Sequence, residues 1–209
     1  MKLSVERSYL LKAISQAQSV VERRNTIPIL SNVYLSMNDG RLKFTGTDLE
    51  VQISAESKIE SNENLKSTIP ARKFLDICRS LPDHAEINLS FDNGVLKIKS
   101  GKSRFTLRTL PADEYPLFDE SNYSDQINLP QSILLKAFSK TIFCMAQQDV
   151  RYYLNGLMME LVNGELQTVA SDGHRLALSK NKIDNETKSI NQVIIPRKAA
   201  QELLRLIDK

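Results

Sequence analysis

The sequence predicts an α+β chain built as a duplicated unit, with two helices in each copy packed on antiparallel sheets. Three observations predict it: self-similarity at a fixed offset, apolar stripes at helical spacing that bracket each copy, and strand-like runs between them divided by Asn-Gly and Asp-Gly turns. The stretch Leu10-Leu11-Lys12-Ala13-Ile14-Ser15 recurs as Leu134-Leu135-Lys136-Ala137-Phe138-Ser139, an offset of 124 residues. The same offset carries Leu30 to Leu154, Gly40 to Gly164, Leu42 to Leu166 and Asp48 to Asp172. At an offset of 126, Ile69-Pro70 maps onto Ile195-Pro196, Asp76 onto Glu202 and Arg79 onto Arg205. A linker rich in Pro, Asp and Ser, around 111–125, separates the copies and gives domains 1–124 and 125–209.

Each copy reads helix, strand, strand, helix. In the first helix Leu10, Ala13, Ile14, Ala17 and Val21 keep helical spacing after Ser8 as N-cap, and Lys12 and Gln16 take the opposite face. Its copy turns Leu134, Leu135, Phe138 and Ile142 inward and Lys136 and Lys140 outward. The runs 30–37 and 42–53 are joined by Asn38-Asp39-Gly40, and 153–162 and 166–178 by Asn163-Gly164, both good hairpin signals. The second helix follows Pro70 with Phe74, Ile77, Cys78 and Leu81 on one stripe, which Ala200, Leu203, Leu204 and Ile207 repeat. The first copy then adds strand-like runs at 86–89, 95–98 and 104–108. Residue 209 corresponds to about residue 83 of the first copy. The second copy is therefore expected to lack those strands and the chain to be truncated, leaving domain two incomplete.

A chain of 209 residues with 41% hydrophobic content can bury substantial cores. With 28 Lys+Arg against 25 Asp+Glu the net charge of +3 decides nothing about partners, so only the placement of charge is informative. No stretch approaches the roughly 20 apolar residues that span a bilayer, and the first ten residues lack an apolar signal region, so a cytoplasmic protein without a membrane partner is expected. Cys78 and Cys144, without a CxxC or a Cys/His cluster, read as buried thiols.

Basic residues mark the outward faces of all four helices: Lys12; Arg72, Lys73 and Arg79; Lys136 and Lys140; Lys198 and Arg205, diluted by Asp76 and Glu202. Ordinary solvated helix faces look the same. Their repetition in register is what suits contacts to phosphates that position a protein without reading sequence. Arg24 lies between helix and strand, and the offset maps it onto Gln148, which precedes Tyr152 and Tyr153. Such a loop can bond phosphates or stack on bases, or the two tyrosines can begin a strand with one ring buried.

Catalysis has little support. Asp48 and Asp172 with His174 are the strongest candidates, but the carboxylates hold matching positions in different copies and are expected to be far apart. Thr47-Asp48 and Ser171-Asp172 read instead as turn or strand-end chemistry in which short polar side chains bond nearby backbone. The sequence carries no phosphate-binding Gly-rich loop, no GxSxG and no His/Cys metal spacing, so no catalytic residue, metal or cofactor is assigned.

The stretches Thr26-Ile27-Pro28-Ile29-Leu30, Gly46-Thr47-Asp48-Leu49-Glu50, Pro70-Ala71-Arg72-Lys73-Phe74, Ser103-Arg104-Phe105 and Leu110-Pro111-Ala112 resemble the first domain of bacterial beta sliding clamps, the beta subunit of DNA polymerase III. Gln148-Asp149-Val150-Arg151-Tyr152-Tyr153-Leu154-Asn155-Gly156, Asp172-Gly173-His174-Arg175-Leu176-Ala177 and Ile195-Pro196-Arg197-Lys198 resemble the second. The resemblance implies the DNA-clamp fold, three domains in a full protomer, and a head-to-tail homodimer ring around double-stranded DNA that confers processivity without catalysis. It implies DNA contacts from Arg24, Gln148, Tyr152 and Tyr153 and from the basic positions Arg72, Lys73, Arg79, Arg197, Lys198 and Arg205. A pocket for clamp-binding motifs would draw on Leu154, Ser171, Gly173, His174, Arg175 and Leu176, with Ser171 where the family often has Thr. Dimer contacts would come from Lys102, Arg104, Phe105 and Leu107, although an ordinary edge strand blunted by charge reads similarly. Implied partners are the polymerase III catalytic subunit, the clamp loader, and other polymerases and repair proteins. A stand-alone non-specific DNA-binding module and a phosphodiesterase-like enzyme are the competing readings, and neither explains the duplication. This chain, taken as a fragment, is not expected to close a ring.

Overall fold

The computed structural model describes residues 2–22, 26–59, 64–119, 127–183 and 190–207. They fall into two units, Met1–Phe118 and Asp119–Lys209, each with its own core. Unit one runs β1 (Lys2–Glu6), α1 (Arg7–Ala17), β2 (Asn32–Asn38), β3 (Arg41–Thr47), β4 (Gln52–Lys58), β5 (Leu65–Pro70), α2 (Ala71–Ser80), β6 (Glu86–Asp92), β7 (Val95–Ser100) and β8 (Ser103–Arg108). Its strands form two antiparallel sheets, ordered β4-β3-β2-β5 and β1-β6-β7-β8. Unit two runs α3 (Gln131–Ser139), β9 (Gly156–Val162), β10 (Glu165–Ser171), β11 (Leu176–Lys182), β12 (Ile190–Pro196) and α4 (Arg197–Ile207), and its described strands form one sheet, β11-β10-β9-β12. That order copies the first sheet of unit one strand for strand, so the repeat seen in the sequence is a repeat of topology.

Between its helices each copy has four strands rather than two. The runs 42–53 and 166–178 are each broken by a turn, because Asp48 and Asp172 divert backbone N–H groups from the sheet to their own carboxylates. The strands β5 and β12 went unpredicted; in β5 the buried residues include Ser67 and Thr68, so apolar alternation is missing. Strand β1 also went unpredicted, although Leu3 and Val5 face the core. The hairpin turns at Asp39-Gly40 and Asn163-Gly164 hold as read, and they and Asn93-Gly94 have positive φ at both central positions, which matches the twist of the flanking strands. Ser8 is not the N-cap; Glu6 precedes the first turn, and Ser8 Oγ donates to Glu6 Oε1 at 2.7 Å. Val21 lies beyond α1, after a 3-10 turn over Gln18–Val20, and still packs on the core half-buried.

The unit-one core brings both helices and both sheets together around Leu10, Ile14, Phe44, Phe74, Cys78, Leu89 and Ile98, with the Phe44 and Phe74 rings stacked 6.1 Å apart. Arg7 fastens the start of α1 to the end of α2, its Nε donating to the Cys78 carbonyl at 2.7 Å while its guanidinium pairs with Asp83. In unit two, α4 buries only Ala200, and Leu203 and Leu204 are half-buried against the core. Cys78 and Cys144 are free and buried, and burial pushes the Cys78 thiol up to about 12, which removes the reactive thiolate. Among the described residues no helix is long and apolar enough to cross a membrane, and no group of three or more His, Cys, Asp or Glu is placed to hold a metal ion.

Candidate functional site

In unit two the loop 147–155 and the turn 171–176 meet, and their geometry starts from two aspartates. Asp149 follows Gln148, whose φ is +56°, and its backbone is gripped from both sides by one residue. Its N–H donates to Asn155 Oδ1 at 2.9 Å, and its carbonyl accepts from Asn155 Nδ2 at 2.8 Å. The Asp149 carboxylate accepts from Arg151 N–H and Nε through one oxygen, at 2.8 and 3.0 Å, and from Arg151 Nη2 through the other, at 2.9 Å. The Arg151 bonds hold its carboxyl down to about 2 and raise the pKa of Arg151 in return. A rigid bracket results. Val150 projects from it 97% exposed and Tyr152 81% exposed, and the Tyr152 and Tyr153 rings meet edge to face at 5.9 Å. The tyrosines sit in a 3-10 turn over Tyr152–Asn155, so neither ring is buried at the start of a strand.

The second aspartate builds the turn. Asp172 Oδ1 accepts from the N–H groups of His174 and Arg175, both at 3.0 Å, and Oδ2 accepts from Arg175 Nε at 2.8 Å. The two backbone donors lead in holding its carboxyl down to about 2. Ser171 Oγ donates to the Arg175 carbonyl at 2.8 Å and accepts from Gly173 N–H at 3.1 Å. Unit one repeats this scheme: Thr47 Oγ1 accepts from Leu49 N–H, and Asp48 Oδ1 from the N–H groups of Glu50 and Val51. The two aspartates therefore serve turns, as their residue types suggest. Arg175 reaches further, donating Nη2 to the Phe143 carbonyl at 3.0 Å with its guanidinium 5.8 Å from the centre of the Phe143 ring.

Beside this turn β11 inverts the usual rule for a half-buried strand. Leu176 and Leu178 are 65% and 50% exposed while Ser179 and Asn181 are buried, Asn181 Nδ2 donating to Ser179 Oγ at 3.0 Å. With the exposed Phe143 they put apolar surface next to charged and hydrogen-bonding groups, a combination suited to an amphipathic ligand. Leu154 is half-buried, and Ser171, Gly173, His174, Arg175 and Leu176 line one turn and the strand that leaves it.

The sequence is similar to two family models in chain order. One describes the N-terminal domain of the DNA polymerase III beta subunit and matches residues 1–119; the other describes its central domain and matches 128–209. The chain belongs to the DNA polymerase III beta subunit family. A beta sliding clamp from Pseudomonas putida is 46% identical over 208 residues, 99% of this chain and 57% of that relative. The solved DNA polymerase III beta subunit of Pseudomonas aeruginosa is 43% identical with a TM-score of 0.94, over all of this chain and 57% of that one. A sliding clamp of the same organism solved with griselimycin is 44% identical with a TM-score of 0.93, at the same coverage. The chain thus spans 57% of the length of these family members.

The structure places the other residues expected to contact DNA or a second protomer unevenly. Arg24 lies outside the described residues. Arg72, Lys73 and Arg79 are exposed on α2, where Arg72 and Arg79 border a hollow of about 260 Å³ that Gln18, Glu22 and Asp76 also line. Gln148 is exposed, and Lys198 is half-buried. Arg205 is exposed and pairs with Glu202 at 3.4 Å. Arg197 is half-buried, and its Nη1 donates to the carbonyls of Met145 and Ala146 at 2.7 and 3.3 Å, which ties its guanidinium to the fold. On β8, the terminal strand of its sheet, Lys102 and Arg104 precede and begin the exposed side, whereas Leu107 is buried in the unit-one core and Phe105 packs half-buried against it. Leu107 is thus a core residue first, because residues two apart on a strand share a face and that face is covered here. Sequence reasoning missed Phe143, Arg151 and Leu178. A signal for Leu178 was available: Leu176, Leu178, Lys180 and Lys182 share one parity, so either leucines or lysines had to break the inside-outside pattern.

Proposed function

We propose that this chain acts in a DNA sliding clamp, with residues 1–124 and 125–209 as its first two clamp domains. In this reading the full-length protein is a homodimeric, non-catalytic ring in the cytoplasm that confers processivity by tethering the polymerase III catalytic subunit, the clamp loader and other polymerases or repair proteins to double-stranded DNA. The observation that carries it is the pairing, in unit two, of an exposed aromatic loop with an outward-facing leucine strand braced by Arg175. Gln148, Tyr152 and Tyr153, with Arg72, Lys73, Arg79, Lys198 and Arg205, supply contacts to phosphates and exposed bases that carry no sequence information. Leu154, Ser171, Gly173, His174, Arg175 and Leu176, joined by Phe143 and Leu178, take the apolar binding motif of a partner. Lys102 and Arg104 on the outer edge strand, with Phe105, meet the second protomer. The griselimycin-bound relative supports a ligand site in clamps of this type.

Anisotropy titrations with two duplexes of unrelated sequence test this function. Binding should be weak, equal for the two, and fall with salt at a slope near −0.9 per phosphate neutralised. Pronounced preference for one sequence, or binding indifferent to salt, would sink it.

A further inference from the structure

Arg151 has a neighbour that no bond accounts for. A Cβ added to Gly173 would lie 2.8 Å from Arg151 Nη2 and 3.3 Å from Nη1, so the guanidinium occupies the space a side chain would need. The duplication supplies a control within the same chain. The residue equivalent to Gly173 in unit one is Leu49, which holds the same left-handed conformation, φ +79° against +87°, in a turn with the same aspartate bonds. This turn therefore accepts a large side chain at that position, strain included. Glycine is needed in unit two for room, and the room is filled by Arg151, whose own equivalent is the apolar Ile27. The contact is an addition to the repeat that the fold does not require.

We propose that Asp149 is a positioning residue which clamps Arg151 against Gly173, so that the loop carrying Gln148, Tyr152 and Tyr153 and the turn carrying His174, Arg175 and Leu176 move as one body. Two bonds to the Asp149 carboxylate, from Arg151 Nε and Nη2, fix the guanidinium plane and a third holds the Arg151 backbone N–H, Asn155 fixes the Asp149 backbone, and the missing Cβ lets the plane lie on the turn. Resting on the function proposed above, this makes the DNA-facing loop and the motif-binding turn mechanically linked. A ligand on one side then alters the ordering of the other, and by reciprocity the converse holds.

The test is amide NMR on the 209-residue chain and its Asp149→Asn variant, with Arg151→Met as a second way to empty the contact. Amide exchange at 173–175 should be several-fold faster in both variants. A mixed-sequence duplex should shift amides of 147–153 and of 173–176 in the wild type, and only the former in Asp149→Asn. Asp48→Asn, in the equivalent turn, should leave both responses in place. Unchanged exchange at 173–175 in both variants, or a duplex response that still reaches the turn in Asp149→Asn, overturns the proposal. Should the duplex shift neither segment in the wild type, the DNA reading of the loop falls. The exchange comparison at 173–175 then decides the Asp149–Arg151 bracket by itself, faster exchange in both variants supporting it and unchanged exchange overturning it.

Discussion

Arg197 Nη1 donates to the Met145 carbonyl at 2.7 Å, tying the first turn of the last helix to the segment that follows α3. A cation at a helix N-terminus opposes the helix dipole, so its presence there has to be offset by these carbonyl bonds. Bonds to a charged group contribute about 1.5–3 kcal/mol each. Arg197→Ala should therefore lower the stability of unit two by about that amount in chemical denaturation. Arg72→Ala, on an exposed helix face, should change stability by no more than about 0.5 kcal/mol while reducing duplex affinity and the steepness of its salt dependence. The opposite ranking in denaturation would return Arg197 to the surface.

The contrast between those two arginines shows what the sequence exposes and what it hides. The repeat, the four helices and the Asn-Gly and Asp-Gly hairpins are legible because each rests on local chemistry: periodicity, and residues that tolerate positive φ. Asp48 and Asp172 are legible as turn or strand-end residues, yet the strands they divide read as continuous, since the apolar alternation runs on either side of them. Arg197 and Arg72 look alike in sequence. Which one is tied to a carbonyl depends on where residues 145 and 146 arrive in space, and no local pattern encodes that.

Acid should act on unit two through Asp149 and Asp172. Both carboxyls sit at about 2 in the folded chain against an ordinary 3.8. A lowered folded value means the unfolded chain binds protons first, so their stabilisation is complete above about pH 4 and is lost as pH falls toward 2. Carboxyl-carbon NMR titrations should give midpoints near 2 for both. A midpoint near 3.8 for either would mean its bonds do not persist in solution.

Leu176 and Leu178 face solvent, so truncating them removes little that folding buried. Leu176→Ala should shift stability by no more than about 0.5 kcal/mol and yet, on the function proposed above, weaken binding of a short apolar clamp-motif peptide by roughly tenfold, the loss expected when an apolar group leaves an interface. Arg175→Ala should weaken it too, because Phe143 loses both the bond to its carbonyl and the guanidinium near its ring. Calorimetry giving wild-type affinity for both variants would remove this strand from the site.

The two copies of one helix predict unequal stability. In unit one α2 buries Ala71, Phe74, Leu75 and Cys78, closed in by α1 and by residues from both sheets. In unit two α4 follows Pro196 as α2 follows Pro70 and carries the same stripe, but buries Ala200 alone and leaves Leu203 and Leu204 half-exposed against a single described sheet. Apolar burial contributes about 25 cal/mol per Å², and an opening of α4 forfeits less of it than an opening of α2. Amide exchange should accordingly be slower across Ala71–Ser80 than across Arg197–Ile207. Phe74→Ala should cost about 3–5 kcal/mol, the range for a fully buried aromatic ring, and Leu204→Ala distinctly less than the 2–5 kcal/mol typical of a buried leucine. Equal protection of the two helices would show that the half-exposed leucines of α4 are covered in solution, by a second copy if the protection rises with protein concentration.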